Sequence, residues 1–464
     1  MNPMITQDTI TALATASGQG AVAIIRISGP TAFEIAERVF APKNSKKISN
    51  QASHTIHLGV IKDGERVLDQ VLLSIFKNPY SYTGEDVIEI NCHGSAYIQE
   101  EILQLLLREG CRMANAGEFT LRAFLNGKMD LTEAEAVADL INSESRVSHE
   151  IAMKQMRGGF SSEIKILRGE LLNFAALLEL ELDFSEEDVE FADREAFNNL
   201  LSKIEHLLKR LIDSFAMGNV IKKGIPVAII GPPNAGKSTL LNALLNEQRA
   251  IVSDIAGTTR DSIEDEINVG GLRFRFIDTA GIRETTNEIE HIGIQKTYEK
   301  IEQAQVVFLL LDASHQKDLK TLRLEIEQLR NRCPLKPFLV VGNKSDGLSE
   351  EQKAMLKAEI PEMLLISAKE KQGIEQLKDT LLEAVQAGKL DNNQTIVTSS
   401  RHYDSLVHAL KEVQGVKDGL KMQLSSDLIA IDLREALFHL GNITGEVTND
   451  ELLGHIFANF CIGK

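Results

Sequence analysis

Gly231-Pro-Pro-Asn234-Ala235-Gly236-Lys237-Ser238-Thr239 follows an apolar run, Val227-Ala-Ile-Ile230, and opens a second one, Leu240 to Leu245. Gly-x-x-x-x-Gly-Lys-Ser between a strand and a helix is the pattern of a phosphate-cradling loop. Its glycines let backbone N–H groups turn inward onto phosphate oxygens, and the start of a helix adds favourable potential for an anion. Asn234, Ala235, Gly236 and Thr239 belong to the same nucleotide-binding loop. Lys237 is placed to reach the β- and γ-phosphates, a catalytic as well as a binding position, and Ser238 to ligate Mg2+. The fold this implies is an α/β domain with its ligand at the carboxyl ends of parallel strands.

Three further motifs follow in the order a guanine-nucleotide hydrolase needs. Asp278-Thr279-Ala280-Gly281 comes after the alternating strand Leu272 to Ile277. Asp278 is placed to hold Mg2+ through its water shell, and the Gly281 N–H to meet the γ-phosphate. Asn343-Lys344-Ser345-Asp346 follows the strand Phe338 to Gly342. Asp346 can accept from the N1–H and 2-amino group of guanine. Adenine has neither donor, so a buried Asp346 would then be left unpaired. Ser367-Ala368-Lys369, after the strand Met363 to Ile366, closes the base pocket.

The helper residues depart from the common pattern. Ile282 stands where many GTPases carry a water-orienting Gln. Arg260 and Arg283 are near the switches, without an obvious place as an arginine finger, a group that contributes about 10³–10⁵ in rate where present. Asn234 offers two readings, an Asx residue stabilising the turn or an amide oxygen for a monovalent cation in place of the guanidinium. The looped stretch Ser253-Asp254-Ile255-Ala256-Gly257-Thr258-Thr259 supplies backbone carbonyls for the second reading, and Thr259 a second hydroxyl for Mg2+.

The loop Gly231–Ser238, the switch Asp254–Asp261 and the terminal Cys461-Ile-Gly-Lys464 together resemble the MnmE (TrmE) tRNA-modification GTPases. Gly20–Gly29, Tyr82–Glu89, Gly117–Asn126 and Lys128–Leu131 agree, so the resemblance spans essentially the whole chain. It implies a potassium-stimulated GTPase whose G domains dimerise across the nucleotide, in a homodimer. It also implies a flavin-dependent partner of the MnmG type, in a heterotetramer. Together they install (carboxymethyl)aminomethyl groups at carbon 5 of the wobble uridine of certain tRNAs. By the same resemblance potassium touches Asn234, Ser253, Ile255 and Thr258, magnesium touches Ser238 and Thr259, and Glu290 helps orient the attacking water.

The resemblance further implies that the amino-terminal domain takes a one-carbon tetrahydrofolate, 5-formyl- or 5,10-methylene-, through Arg26, Glu89, Lys128 and Lys464. Period two puts Val22, Ile24 and Arg26 on one face of a strand. An Arg ending an apolar face is either at a sheet edge or aimed at an anion. His93 reads as a turn histidine, a ligand or a proton carrier, and Ser95 replaces the family's second glycine after His-Gly. Cys461 is either a small buried hydrophobe or, by resemblance, a catalytic thiol or positioning group near the folate. As a prenylation box Cys461–Lys464 is a poor match, with no polybasic run upstream.

Composition narrows the class. The chain has 464 residues, 43% of them hydrophobic, with no apolar run approaching the about 20 residues that span a bilayer. The first 20 residues lack the regions of an export signal. Its four cysteines show no metal or disulfide spacing, which fits reduced thiols and a cytoplasmic location. A net charge of −17 argues against a nonspecific coat on nucleic acid, since Lys and Arg dominate that affinity. Neither a membrane nor DNA is expected as a partner, and tRNA is expected to be shared with a more basic protein.

The domains expected are a folate-binding-type α+β domain (1–125), a discontinuous helical bundle (126–221 and 389–464) and an inserted P-loop GTPase domain (222–388). Thr132–Glu135 and Thr448–Glu451 read as capping boxes. Ile164, Leu167, Leu171, Phe174, Leu178 and Leu182 mark one long helix, and Ala192–Phe215 another. Linkers are expected at Lys222–Pro226 and Ala387–Gln394, and motion of the switches has to pass through both into the same helices.

Overall fold

The computed structural model describes residues 8–43, 47–183, 194–246, 265–277, 301–315, 319–334, 336–385, 396–448, 450–458 and 460–463. Two compact units result. The first takes in Met1–Asn142, Ala152–Lys209 and Asp404–Lys464, and the second Ser143–Ile151 and Arg210–Tyr403.

The first unit is built on seven strands: β1 (Ile10–Leu13), β2 (Val22–Ser28), β3 (Phe40–Pro42), β4 (Thr55–Asp63), β5 (Arg66–Phe76), β6 (Val87–His93) and β7 (Arg112–Met113). Their order is β3-β4-β5-β6-β2-β1-β7. All pairs are antiparallel except β1 with β7. Alternation sends Ile25, Ile27, Leu73, Ile75, Ile88 and Ile90 into a core closed by Ile102, Leu105 and Leu106 of the helix Ala96–Arg108. Arg26 and Glu89 face the other way, directly opposite each other across β2 and β6. Because β2 lies between β6 and β1, the sheet-edge reading of Arg26 is overturned.

The helix Leu131–Ile141 begins two residues earlier than the expected capping box. Asp130 is the N-cap, accepting from Glu133 N while the Glu133 side chain accepts from Asp130 N. The same spacing rule applies, but Thr132 sits inside the helix and donates to Ile443 O at 3.0 Å. The second expected box includes Asn449, outside the described residues; its helix is Asp450–Phe457. The long helix Ser161–Asp183 forms as expected, burying Ile164, Leu171 and Leu178. It packs along the helix Ser426–Thr444.

The helix expected to end at Phe215 runs from Arg194 to Lys223 and leads into the second sheet through Gly224 alone. Ile221 and Ile225 are both buried in the core of the second unit, which leaves no slack for a loose linker. Gly224 turns the chain with φ +81°, where a side chain would be strained.

The second unit carries β8 (Ile225–Ile230), β9 (Asp265–Val269), β10 (Leu272–Phe276), β11 (Val306–Asp312), β12 (Phe338–Asn343) and β13 (Leu364–Leu365). Their order is β13-β12-β11-β8-β10-β9, parallel except for the β9–β10 hairpin. Alternate residues feed two cores, one on each face. Val227, Ile229, Phe308, Leu310 and Val341 meet Leu240, Leu244, Leu377 and Leu381 on one side. Ala228, Ile230, Val307, Leu309 and Leu311 meet Leu322, Ile326 and Leu356 on the other. Apolar strands covered on both faces are what a parallel α/β sheet requires. Among the described residues no helix is long and apolar enough to cross a membrane.

Candidate functional site

The phosphate loop leaves the carboxyl end of β8 and ends at the helix Lys237–Asn246. Gly231 and Gly236 have φ of +149° and +95°. A Cβ on Gly231 would stand 2.0 Å from Leu310 O, and one on Gly236 2.2 Å from Asn343 Nδ2. Both positions therefore demand glycine, and the backbone is left bare as a cradle for an anion. Asn234, exposed, is also left-handed at φ +62°, a conformation Asn tolerates better than most residues. Lys237 Nζ donates to Gly231 O at 2.6 Å and to Pro232 O at 3.1 Å, folded over its own loop.

Asn343 ties three motifs together. It is 2% exposed; its Nδ2 donates to Ala235 O at 2.9 Å, and its Oδ1 accepts from Ala368 N at 2.9 Å. Ser345 N donates to Ile366 O at 3.0 Å, a backbone tie between the Asn343–Asp346 and Ser367–Lys369 loops. A fully paired buried amide is a strong positional constraint. Asp346 is exposed rather than buried. A hydrogen bond from Ser367 holds its carboxyl below the usual carboxylate range. It is thus an anion at neutral pH, with acceptor capacity to spare. Lys369 is also exposed.

Sequence reading missed Asp312, at the end of β11. Its carboxylate accepts from Lys344 Nζ at 2.6 Å. Burial pushes this carboxyl up, but Lys344 and Ser314 outweigh it and hold the group below its ordinary value. An aspartate closing an apolar strand was the available signal.

Ser253, Asp254, Ile255, Ala256, Gly257, Thr258, Thr259, Asp278, Thr279, Ala280, Gly281, Glu290 and Lys464 lie outside the described residues, as do Arg260, Ile282 and Arg283.

A second constellation lies on the face of the first sheet opposite its main core, beside Ile10, Ala12 and Phe119. Arg26 Nε donates to Glu89 Oε1 at 2.9 Å, and NH1 to Gly463 O at 3.3 Å. The guanidinium lies 5.6 Å from the Tyr82 ring centre and 5.5 Å from that of Phe119. Each such cation–π contact contributes on the order of 1 kcal/mol. Tyr82 donates or accepts with Thr120 Oγ1 at 2.8 Å, and burial raises its hydroxyl pKa. The carboxyl-terminal segment is held by backbone. Ala116 bridges to Ile462, Gly117 N donates to Cys461 O, and a Cβ on Gly463 would stand 2.1 Å from Leu13 O.

Cys461 is exposed, which overturns its reading as a buried hydrophobe; Gly463 takes the buried place instead. Cys92, Cys111 and Cys333 are buried, and burial pushes Cys92 up to about 11 and Cys111 up to about 12, far from a reactive thiolate. Lys128 makes a separate contact, to Pro79 O at 2.9 Å. His93 belongs to β6 rather than to a turn, and its Nδ1 lies 2.7 Å from Asp69 Oδ1.

A mostly parallel sheet with a bare phosphate loop after β8, and Asn-Lys-x-Asp and Ser-Ala-Lys after β12 and β13, defines a P-loop GTPase. Family models described as the MnmE helical domain and the GTP-binding protein TrmE N-terminus match residues 131–461 and 9–128. The tRNA modification GTPase MnmE of Flavobacterium psychrophilum is 67% identical over 463 residues, covering 99% of this chain and 100% of its own. That of Flavobacterium johnsoniae is 65% identical over 466 residues, and that of Bacteroides thetaiotaomicron 53% over 467, each with 99% and 100% coverage. The chain belongs to the MnmE family of tRNA modification GTPases.

Proposed function

We propose that the chain hydrolyses GTP to GDP and phosphate and, with a flavin-dependent MnmG-type partner, takes part in C5 (carboxymethyl)aminomethyl modification of the wobble uridine of certain tRNAs. The observation that carries the GTPase half is the Asn343 side chain, which binds the phosphate loop and the Ser367–Lys369 loop into one pocket wall. On this reading residues 1–125 form the folate-type domain, 126–221 with 389–464 the helical domain, and 222–388 the G domain.

Lys237 exchanges the carbonyls of Gly231 and Pro232 for β- and γ-phosphate oxygens. Asp346 accepts from the guanine N1–H and amino group, and Ala368 and Lys369 close over the base. Ser238, Thr259 and Asp278 would hold Mg2+, which would neutralise charge on the phosphate oxygens. Asn234, with carbonyls or hydroxyls of Ser253, Ile255 and Thr258, holds K+, which supplies the positive charge an arginine finger gives elsewhere. Glu290 orients the attacking water. Two copies of the chain associate through their G domains. The location is cytoplasmic.

Arg26, Glu89, Lys128 and Lys464 hold a one-carbon tetrahydrofolate, with Cys461 beside it. Support comes from residue chemistry: a guanidinium sandwiched by two rings and paired to a carboxylate presents donors and acceptors at fixed positions, as a pterin edge requires. Arg26→Ala is expected to weaken 5-formyltetrahydrofolate binding about 10- to 100-fold, the scale of one lost charge-assisted hydrogen bond, while GTP turnover is unchanged. Unchanged folate affinity by calorimetry would remove Arg26 from the site.

A further inference from the structure

Asp312 belongs to none of the motifs. It ends β11 and stands opposite Asn343 in the parallel ladder with β12. Oδ1 accepts from Ser314 N at 3.0 Å and Ser314 Oγ at 2.6 Å, so the carboxylate is fixed before it meets a lysine. Oδ2 accepts from Lys344 Nζ at 2.6 Å. The aspartate side chain is 15% exposed and the lysine 42%. Lys344 is also fixed at its backbone, in the left-handed region at φ +65°. A flexible side chain is thus held at both ends, inside the segment whose neighbours are Asn343 and Asp346.

We propose that Asp312 is a positioning residue for nucleotide binding, holding the Lys344 stem extended so that a purine ring meets an ordered methylene surface. The inference rests on the guanine-nucleotide reading of Asn343–Asp346. A lysine has four side-chain torsions, and ordering them before association removes that cost from the binding step. The charge-assisted bond is strong because both partners are ionised and the carboxylate is mostly shielded from water. Apolar contact with a ring face does not discriminate among purines, so Asp312 acts on affinity and leaves base choice to Asp346.

The test is a double-mutant cycle in the full-length protein, read by GDP and IDP dissociation constants. Asp312→Asn keeps the shape and removes the charge. It is expected to raise the GDP dissociation constant about tenfold, equivalent to about 1.4 kcal/mol, with kcat at saturating GTP unchanged. The ratio of GDP to IDP affinity stays constant. In a Lys344→Met background the same substitution has no further effect, because nothing remains to position. Ser314→Ala, which loosens the carboxylate without touching the lysine, gives a smaller loss of the same kind.

The same loss in both backgrounds marks a merely structural role and overturns the proposal, as does unaltered GDP affinity when Asp312→Asn is made in the otherwise wild-type protein. A wild-type protein that binds ADP as tightly as GDP overturns the base-pocket reading itself, and with it the proposal. A guanine-selective wild type without coupling between the two positions overturns the proposal alone.

Discussion

Asp346→Asn is expected to abolish the preference for guanine and transfer it to xanthine. The Asp346 carboxylate is exposed, ionised, and held below the usual carboxylate range by the Ser367 hydroxyl. On the proposed reading, this anion accepts from two donors on guanine. An amide in its place turns one acceptor into a donor, facing the 2-amino group of guanine donor to donor. Xanthine carries a carbonyl at that position and restores the pair. Sites that hydrogen-bond a group reject a ligand lacking it by about 10⁴–10⁵. GTP affinity should therefore fall at least about 10³-fold while XTP binding improves. Competition binding with GTP, XTP and ATP reads this directly, and an unchanged preference for GTP over both removes Asp346 from base recognition.

Replacing K+ by Na+ is expected to lower GTP turnover about 10²-fold or more at fixed ionic strength, a part of the about 10³–10⁵ that an arginine finger contributes elsewhere. Asn234 stands exposed on the phosphate loop at φ +62°. The smaller Na+ needs shorter contacts than a ring of oxygens sized for K+ supplies. Asn234→Ala should remove the difference between the two ions by lowering the K+ rate. Equal turnover of the wild-type protein in both salts would leave the Asx-turn reading of Asn234 standing.

Much of the nucleotide pocket was legible in the sequence because its steric demands are local. Gly231 and Gly236 admit no side chain, and Asn343, Ser367 and Ala368 each stand at the end of a continuous apolar run. The period-two spacing of Val22, Ile24 and Arg26 likewise revealed β2 of the amino-terminal sheet. What escaped depends on residues far apart in the chain. Arg26 meets Gly463, and Gly117 meets Cys461, through contacts that no periodicity encodes. Asp312 escaped because its partner, Lys344, lies in the next strand's loop.

Two errors were local. Asp130 and Thr132 each have a glutamate three residues on, and tertiary structure chose between them by giving the Thr132 hydroxyl to Ile443 O. The helix ending at Lys223 outran its expected limit because Ile221 had a core to enter. The short β1, β3 and β7 carry too few residues for a pattern, and tertiary pairing alone defines them.

GTP hydrolysis by this chain is proposed to serve modification of the tRNA wobble position. Mass spectrometry of wobble nucleosides from cells lacking the protein tests it most directly. The expected result is loss of C5 (carboxymethyl)aminomethyl uridines, restored by the wild-type chain and not by Lys237→Ala. Wobble uridines carrying their full modification in the deleted cells would contradict it.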